Sequence, residues 1–242
     1  MLEYVSKMSN STKKKLGIGF LALALGYFAS GGCHKTYVPQ KVKNTNAYVI
    51  TVNSRNTSVL ERLGWINNPN LESDYVVLDS ESKKQEMKSE MENGKFGTLV
   101  LTGHHGSGTD YLYGEGSARY ETQSDRLSLS ELPKSDDIET VIFSSCTTAG
   151  TDSNVVDPVY KPLIGKFPNL KVIVGFTDAA PSHEGVTAAI MDKRHYLIDS
   201  SISNFAEKAV SVNSDLVGVA HRSTDGKWYY TDASGKREIS GL

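Results

Sequence analysis

Five short runs of this sequence are almost wholly apolar and rich in β-branched residues: Tyr48 to Val52, Tyr75 to Leu78, Thr98 to Thr102, Thr140 to Phe143 and Lys171 to Phe176. A strand with one wet face alternates apolar and polar residues, whereas a strand covered on both faces does not. These runs therefore belong inside a sheet. Between and after them, helical patterns cover Thr57 to Leu63, Ser82 to Glu92, Pro158 to Lys166, Glu184 to Lys193 and Ile202 to Val210. Strands alternating with helices predict an α/β fold, a mainly parallel sheet in a three-layer α-β-α sandwich. Pro158 suits a first helical turn, and Asn93-Gly94 stops the second helix. Two weaker strand candidates, Leu216 to Ala220 and Trp228 to Thr231, flank Thr224-Asp225-Gly226-Lys227, whose Asp-Gly pair suits a tight hairpin. From Ser107 to Asp137 the period is weak, which predicts long loops around at most one short helix, Leu127 to Leu132.

The first 32 residues stand apart from this pattern. Lys13, Lys14 and Lys15 precede an apolar stretch of 14 residues, Leu16 to Ala29. Crossing a bilayer as a helix takes roughly 18 to 20 residues, so the stretch reads as a cleaved export signal. It ends Ala29-Ser30-Gly31-Gly32-Cys33, which resembles a bacterial lipobox with Ser30 where a leucine is usual. Cys33 is then the lipidated residue and the membrane contact is through the lipid alone. Residues 33–46 are polar and form a tether, leaving 47–242 as one domain in the cell envelope, in the periplasm or at the cell surface.

The whole chain has 26 basic and 28 acidic residues; four lysines and one glutamate lie in residues 1–32, so the remainder carries a net charge of −5. Nucleic acid and anionic membrane surfaces call for clustered positive charge, and both are set aside as partners. The chain has two cysteines. Exported proteins commonly pair theirs; with Cys33 lipidated, Cys146 is a solitary thiol.

Two of the strongest strand candidates end in chemically unusual residues. Thr98 to Thr102 runs into Gly103-His104-His105-Gly106-Ser107-Gly108, and Val141 to Phe143 runs into Ser144-Ser145-Cys146-Thr147-Thr148-Ala149-Gly150. In open parallel sheets the carboxyl ends of the strands share one edge, where ligands bind. An apolar strand ending in His-Gly, followed by one ending in a small-small-Cys turn, resembles the caspase-like cysteine peptidases: caspases, legumains, gingipains, clostripains and the CHAT-type enzymes. His105 and Cys146 are 41 residues apart, compatible with the roughly 50 of the caspase signature. The Gln-Ala-Cys string of true caspases is absent, and the turn is closer to the CHAT-type pattern. The resemblance covers roughly residues 47 to 180.

The resemblance implies a caspase-like fold and a peptide or protein substrate, with no cofactor and no metal. It makes Cys146 the nucleophile and His105 its general base and acid. Gly106 and Cys146 supply the backbone N–H groups of an oxyanion hole, and His104 faces the other side. Asp178, in the segment after the next strand, is a candidate for receiving a basic P1 side chain. His104-His105-Gly106-Ser107 also resembles a metal-binding segment of metallo-β-lactamase-like hydrolases, but the only earlier histidine is His34, and the spacing of His183, His195 and His221 gives a zinc site no support. The alternative of a different class is a catalytically silent caspase-like surface lipoprotein that acts as a binding module.

Overall fold

The apolar runs become strands that hydrogen-bond to one another; four are buried on both faces, while the run Tyr75 to Leu78, expected inside the sheet, lies at its edge and leaves Tyr75 45% exposed. The computed structural model describes residues 47–52, 73–114, 126–178, 183–193 and 201–242, all within one unit. In chain order the strands are β1 (Ala47–Val52), β2 (Ser73–Leu78), β3 (Thr98–Thr102), β4 (His104–His105), β5 (Tyr111–Tyr113), β6 (Arg126–Ser128), β7 (Thr140–Ser144), β8 (Val172–Phe176), β9 (Val217–Arg222), β10 (Trp228–Asp232) and β11 (Gly235–Glu238). The fold is α/β. Eight strands form one mixed sheet in the order β2-β1-β3-β7-β8-β9-β10-β11. From β2 to β8 every pairing is parallel; β9, β10 and β11 each run antiparallel to the strand before.

The helices are α1 (Glu81–Asn93), α2 (Ser153–Val155), α3 (Lys161–Lys166), α4 (His183–Asp192) and α5 (Ile202–Val210), with a π-helical stretch, Val156–Tyr160, joining α2 to α3. On one face of the sheet Tyr48, Ile50, Leu99, Leu101, Val141 and Phe143 share an apolar cluster with Met87 and Met91 of α1 and with Val159 and Leu163. The alternate residues Val49, Val100, Ile142, Val174 and Val219 are equally buried. Helix α5 packs Phe205, Ala206 and Ala209 inward and contacts β9 and β10, while α4 contacts β7. Helix α1 begins where the Ser80 hydroxyl accepts from the Lys83 N–H, and the Tyr48 hydroxyl donates to Glu90, which ties the helix to β1. Among the described residues no helix is long and apolar enough to cross a membrane.

Two expectations need correction, and one strand had no counterpart among them. The stretch read as long loops contains two strands, β5 and β6, which with β4 form a second, antiparallel sheet in the order β4-β5-β6; Leu129–Glu131 is a single 3-10 turn. Strands of two or three residues are too short to show a period of two. The helix expected to open at Pro158 opens at Ser153, capped by Asp152, whose side chain accepts from the Asn154 N–H. Pro158 falls inside the wider π turn, which accommodates a residue with no N–H to give. Strand β11 was not foreseen, because all four of its residues are exposed and polar or glycine. The Asp-Gly hairpin is present between β9 and β10, with Gly226 at φ +85. The expected signal, tether and Thr57 to Leu63 helix lie outside the described residues.

His221 on β9 is 1% exposed and shares a hydrogen bond of 3.2 Å with the Thr231 hydroxyl on β10. Burial, helped by the Lys236 charge, pushes its pKa down to about 4. The unfolded chain therefore binds a proton below pH 6.5 that the folded protein refuses until about pH 4. Stability contributed by His221 is complete above pH 6.5 and is lost as pH falls through that window, by roughly 2–3 kcal/mol. Thermal melts of wild type and His221→Gln across pH 4 to 7 are expected to show a shallower decline in the variant; parallel declines would contradict this.

Candidate active site

The histidine side of the site is built by a strand that changes sheets. After Thr102 the chain leaves the main sheet at Gly103 and pairs with β5, His104 opposite Tyr113 and His105 opposite Leu112. Successive side chains of a strand point oppositely. His104 stacks against Tyr113 with ring centroids 5.6 Å apart, while His105 is 4% exposed. The next four residues close a turn: the Thr109 N–H and hydroxyl both donate to the Gly106 carbonyl, at 3.2 and 2.7 Å. Gly108 takes φ +77 at the third position of that turn, a conformation that a side chain resists. The turn folds the Thr109 carbonyl back onto His105, 2.9 Å from Nε2. A carbonyl only accepts, so Nε2 carries the hydrogen and the lone pair of the neutral ring sits on Nδ1. Nδ1 is 3.4 Å from the Thr147 hydroxyl, next to Cys146.

The cysteine side is a loop pinned at both ends. Beyond Ser144, the Thr148 hydroxyl donates to the Ser145 carbonyl at 3.0 Å and accepts from the Phe176 N–H at 3.2 Å, and the Ala149 N–H donates to the Phe176 carbonyl at 3.0 Å. Strand β8 approaches this loop so closely that a Cβ on Gly175 would fall 2.6 Å from the Thr148 hydroxyl, which is why a glycine interrupts an apolar strand there. Further on, the buried phenol of Tyr160 in the π-helical stretch accepts from the Gly150 N–H at 3.2 Å. Between the anchors Thr147 is held at φ +50, a left-handed conformation that is an outlier for a β-branched residue. Cys146 is a free thiol and half-buried.

Strands β3 and β7 are parallel neighbours with Thr102 opposite Ser144, so the two loops leave the same sheet edge side by side. The Thr147 hydroxyl also lies 3.5 Å from the His105 carbonyl. Burial lowers the His105 pKa below its usual 6.5, against the opposing pull of the Thr109, Cys146 and Thr147 carbonyls and the Asp110 carboxylate. Asp110 is itself fixed by the Ser128 hydroxyl at 2.6 Å. Burial thus favours the neutral imidazole, and with the hydrogen assigned to Nε2 its basic nitrogen is the one facing the cysteine loop. Among the described residues neither the Gly106 N–H nor the Cys146 N–H has a hydrogen-bond partner, so each loop keeps one open donor.

Of the residues singled out in the sequence, His105, Gly106 and Cys146 thus meet at one edge. Asp178 is exposed, two residues beyond the end of β8. Cys33 lies outside the described residues. Sequence reasoning missed Thr109, Asp110, Thr147 and Tyr160. The Gly-Ser-Gly-Thr turn after the histidine was the available signal for Thr109; nothing in the sequence marked the others. Among the described residues no three His, Cys, Asp or Glu side chains converge as a metal site. No known family model matches this chain, and no curated protein matches its sequence.

Left-handed backbone at a β-branched residue costs of the order of 1–3 kcal/mol, and Thr147→Gly removes that cost together with the hydroxyl that faces His105. The variant is expected to melt about 2–4 °C higher while its Cys146 reacts more slowly with iodoacetamide. A lower melting temperature with unchanged thiol reactivity would show that the strain has no bearing on the site.

Proposed function

We propose that this chain is a cysteine endopeptidase with a three-layer caspase-like fold, exported and anchored to a bacterial membrane through a lipid on Cys33. The observation that carries the reading is the seat of the His105 ring, with Nε2 2.9 Å from the Thr109 carbonyl and Nδ1 3.4 Å from the Thr147 hydroxyl on the loop of the half-buried Cys146; the carbonyl assigns the hydrogen to Nε2 and leaves Nδ1 basic. The parallel order β2-β1-β3-β7-β8, with its loops gathered at the carboxyl edge, supports the fold assignment.

On this reading the steps follow from the geometry. His105 Nδ1 takes the Cys146 proton as sulfur attacks the carbonyl carbon of the scissile peptide bond. Proton transfer at the moment of attack suits a neutral imidazole. The oxygen that becomes negative is received by the Gly106 and Cys146 N–H groups, each worth about 3 kcal/mol in the transition state. The new imidazolium is steadied by its Nε2–H bond to Thr109 and by the Asp110 charge, and it returns its proton to the departing amine. Water then hydrolyses the thioester. A Cβ on Gly106 would meet only ordinary contacts with Thr109, and its φ is not left-handed. Room for substrate backbone is the remaining reason for glycine there. Asp178 would receive a basic P1 side chain, a preference that Asp178→Ala should erase.

A second reading, a catalytically silent binding module, draws on one feature: both ring nitrogens of His105 already have neighbours, in Thr109 and Thr147. A thiol-directed activity probe separates the two. The peptidase predicts labelling of Cys146 that falls at least 100-fold in His105→Ala. It also predicts an acid limb in the labelling rate below pH 6.5, because the ring loses its basic lone pair as it is protonated through a lowered pKa. Equal labelling of wild type and His105→Ala would establish the binding module instead.

A further inference from the structure

Strand β6 and the 3-10 turn that follows it grip one residue of the histidine turn from two sides. The Leu129 N–H donates to the Asp110 carbonyl at 2.7 Å, and the Ser128 hydroxyl donates to the Asp110 carboxylate at 2.6 Å. Ser128 has one hydrogen to give and gives it there, so the Ser130 hydroxyl, 2.7 Å away, is the donor to Ser128. The Ser130 N–H reaches the same oxygen at 3.3 Å and caps the turn. Capping uses only the lone pairs of the Ser128 hydroxyl. Its hydrogen is left for Asp110, and a chain of hydroxyl donors ending on an ionised carboxylate is a strong arrangement.

The gripped residue is the neighbour of the carbonyl that seats the imidazole. The peptide unit joining Thr109 to Asp110 carries the oxygen 2.9 Å from His105 Nε2. On one side of that unit Thr109 is fastened through its N–H and hydroxyl, both to the Gly106 carbonyl at 3.2 and 2.7 Å. On the other side Asp110 is fastened through its carbonyl and carboxylate. A peptide plane is rigid, so pinning the residues at both its ends keeps its oxygen on the ring. The same grip holds the Asp110 charge within reach of His105, where it favours the protonated ring against burial. The other titratable groups beside the ring are Cys146, on the β7 loop, and His104, which stacks on Tyr113. The elements that hold Asp110 also carry Arg126 and Glu131, one charge of each sign.

We infer that Ser128, with Ser130 behind it, is a positioning residue for the His105 base and acts through Asp110. That His105 is a base rests on the peptidase reading, but the seating of its ring does not. The test therefore uses the full chain carrying Cys146→Ala, in which no thiol chemistry can occur, and follows the His105 pKa by NMR of ¹⁵N-labelled histidine. Asp110→Asn keeps the shape and an acceptor but removes the charge, and is expected to lower that pKa by about 0.5 or more. Ser128→Ala should lower it by less, because the released carboxylate turns toward water, and Ser130→Ala, at an exposed position, by less again. In the Asp110→Asn background Ser128→Ala should cause no further fall, since its effect travels through a charge already gone. A purely structural serine would add its effect in full. A ring that ignores Asp110→Asn or Ser128→Ala, or effects of the two that add, would overturn the inference. Thiol labelling of the protein with Cys146 intact reports on the peptidase reading separately, so either idea can fail alone.

Discussion

The parallel pairing of β3 with β7 is the constraint on which the site depends. Both strands lie inside the sheet, each with a neighbour on either side, and their residues are buried throughout. A one-residue slip would turn Leu99, Leu101, Val141 and Phe143 away from the helices they pack against, so the register is strongly specified. That register places Thr102 beside Ser144. The histidine loop and the cysteine loop are neighbours as a consequence of core packing, before any contact between the loops is considered.

Local costs collect at this edge. Thr147 is left-handed, and the hydroxyls of Ser144 and Ser145 are buried without a hydrogen-bond partner among the described residues. Each unsatisfied hydroxyl costs about 1–3 kcal/mol. The loop keeps its shape because Thr148, Ala149 and Gly150 are fastened to β8 and Tyr160 on one side, and Thr147 is lodged against His105 on the other. Folds tolerate such departures where surrounding contacts over-determine the geometry, and they cluster at functional sites. The proposed chemistry gives the strain a purpose: a turn that cannot relax keeps the sulfur at the rim rather than in the core.

The central sheet was legible in the sequence because its five parallel strands are apolar on both faces, a pattern that neither a surface strand nor an amphipathic helix produces. Their carboxyl ends could be located from the same runs, and with them His105 and Cys146. What escaped was everything decided by short or through-space contacts. Strands β5 and β6 have three residues each, too few for a period. Thr109 acts through its carbonyl, which every residue possesses. The π-helical stretch around Pro158 and the reach of Tyr160 to Gly150 depend on tertiary packing. The end of helix α1 could be placed from sequence by Asn93-Gly94, because capping chemistry is local, whereas its Ser80 cap, two residues before the expected start at Ser82, was not singled out.

The proposed chemistry turns on the protonation and tautomer of one buried ring. Nitrogen-detected NMR of protein labelled with ¹⁵N-histidine, assigned through His105→Gln and titrated from pH 5 to 8, reads both at once. A neutral ring at pH 7 with the hydrogen on Nε2, titrating below pH 6.5, is the expected result. An imidazolium that persists at pH 7, or a neutral ring protonated on Nδ1, would leave no base facing Cys146 and would contradict the account.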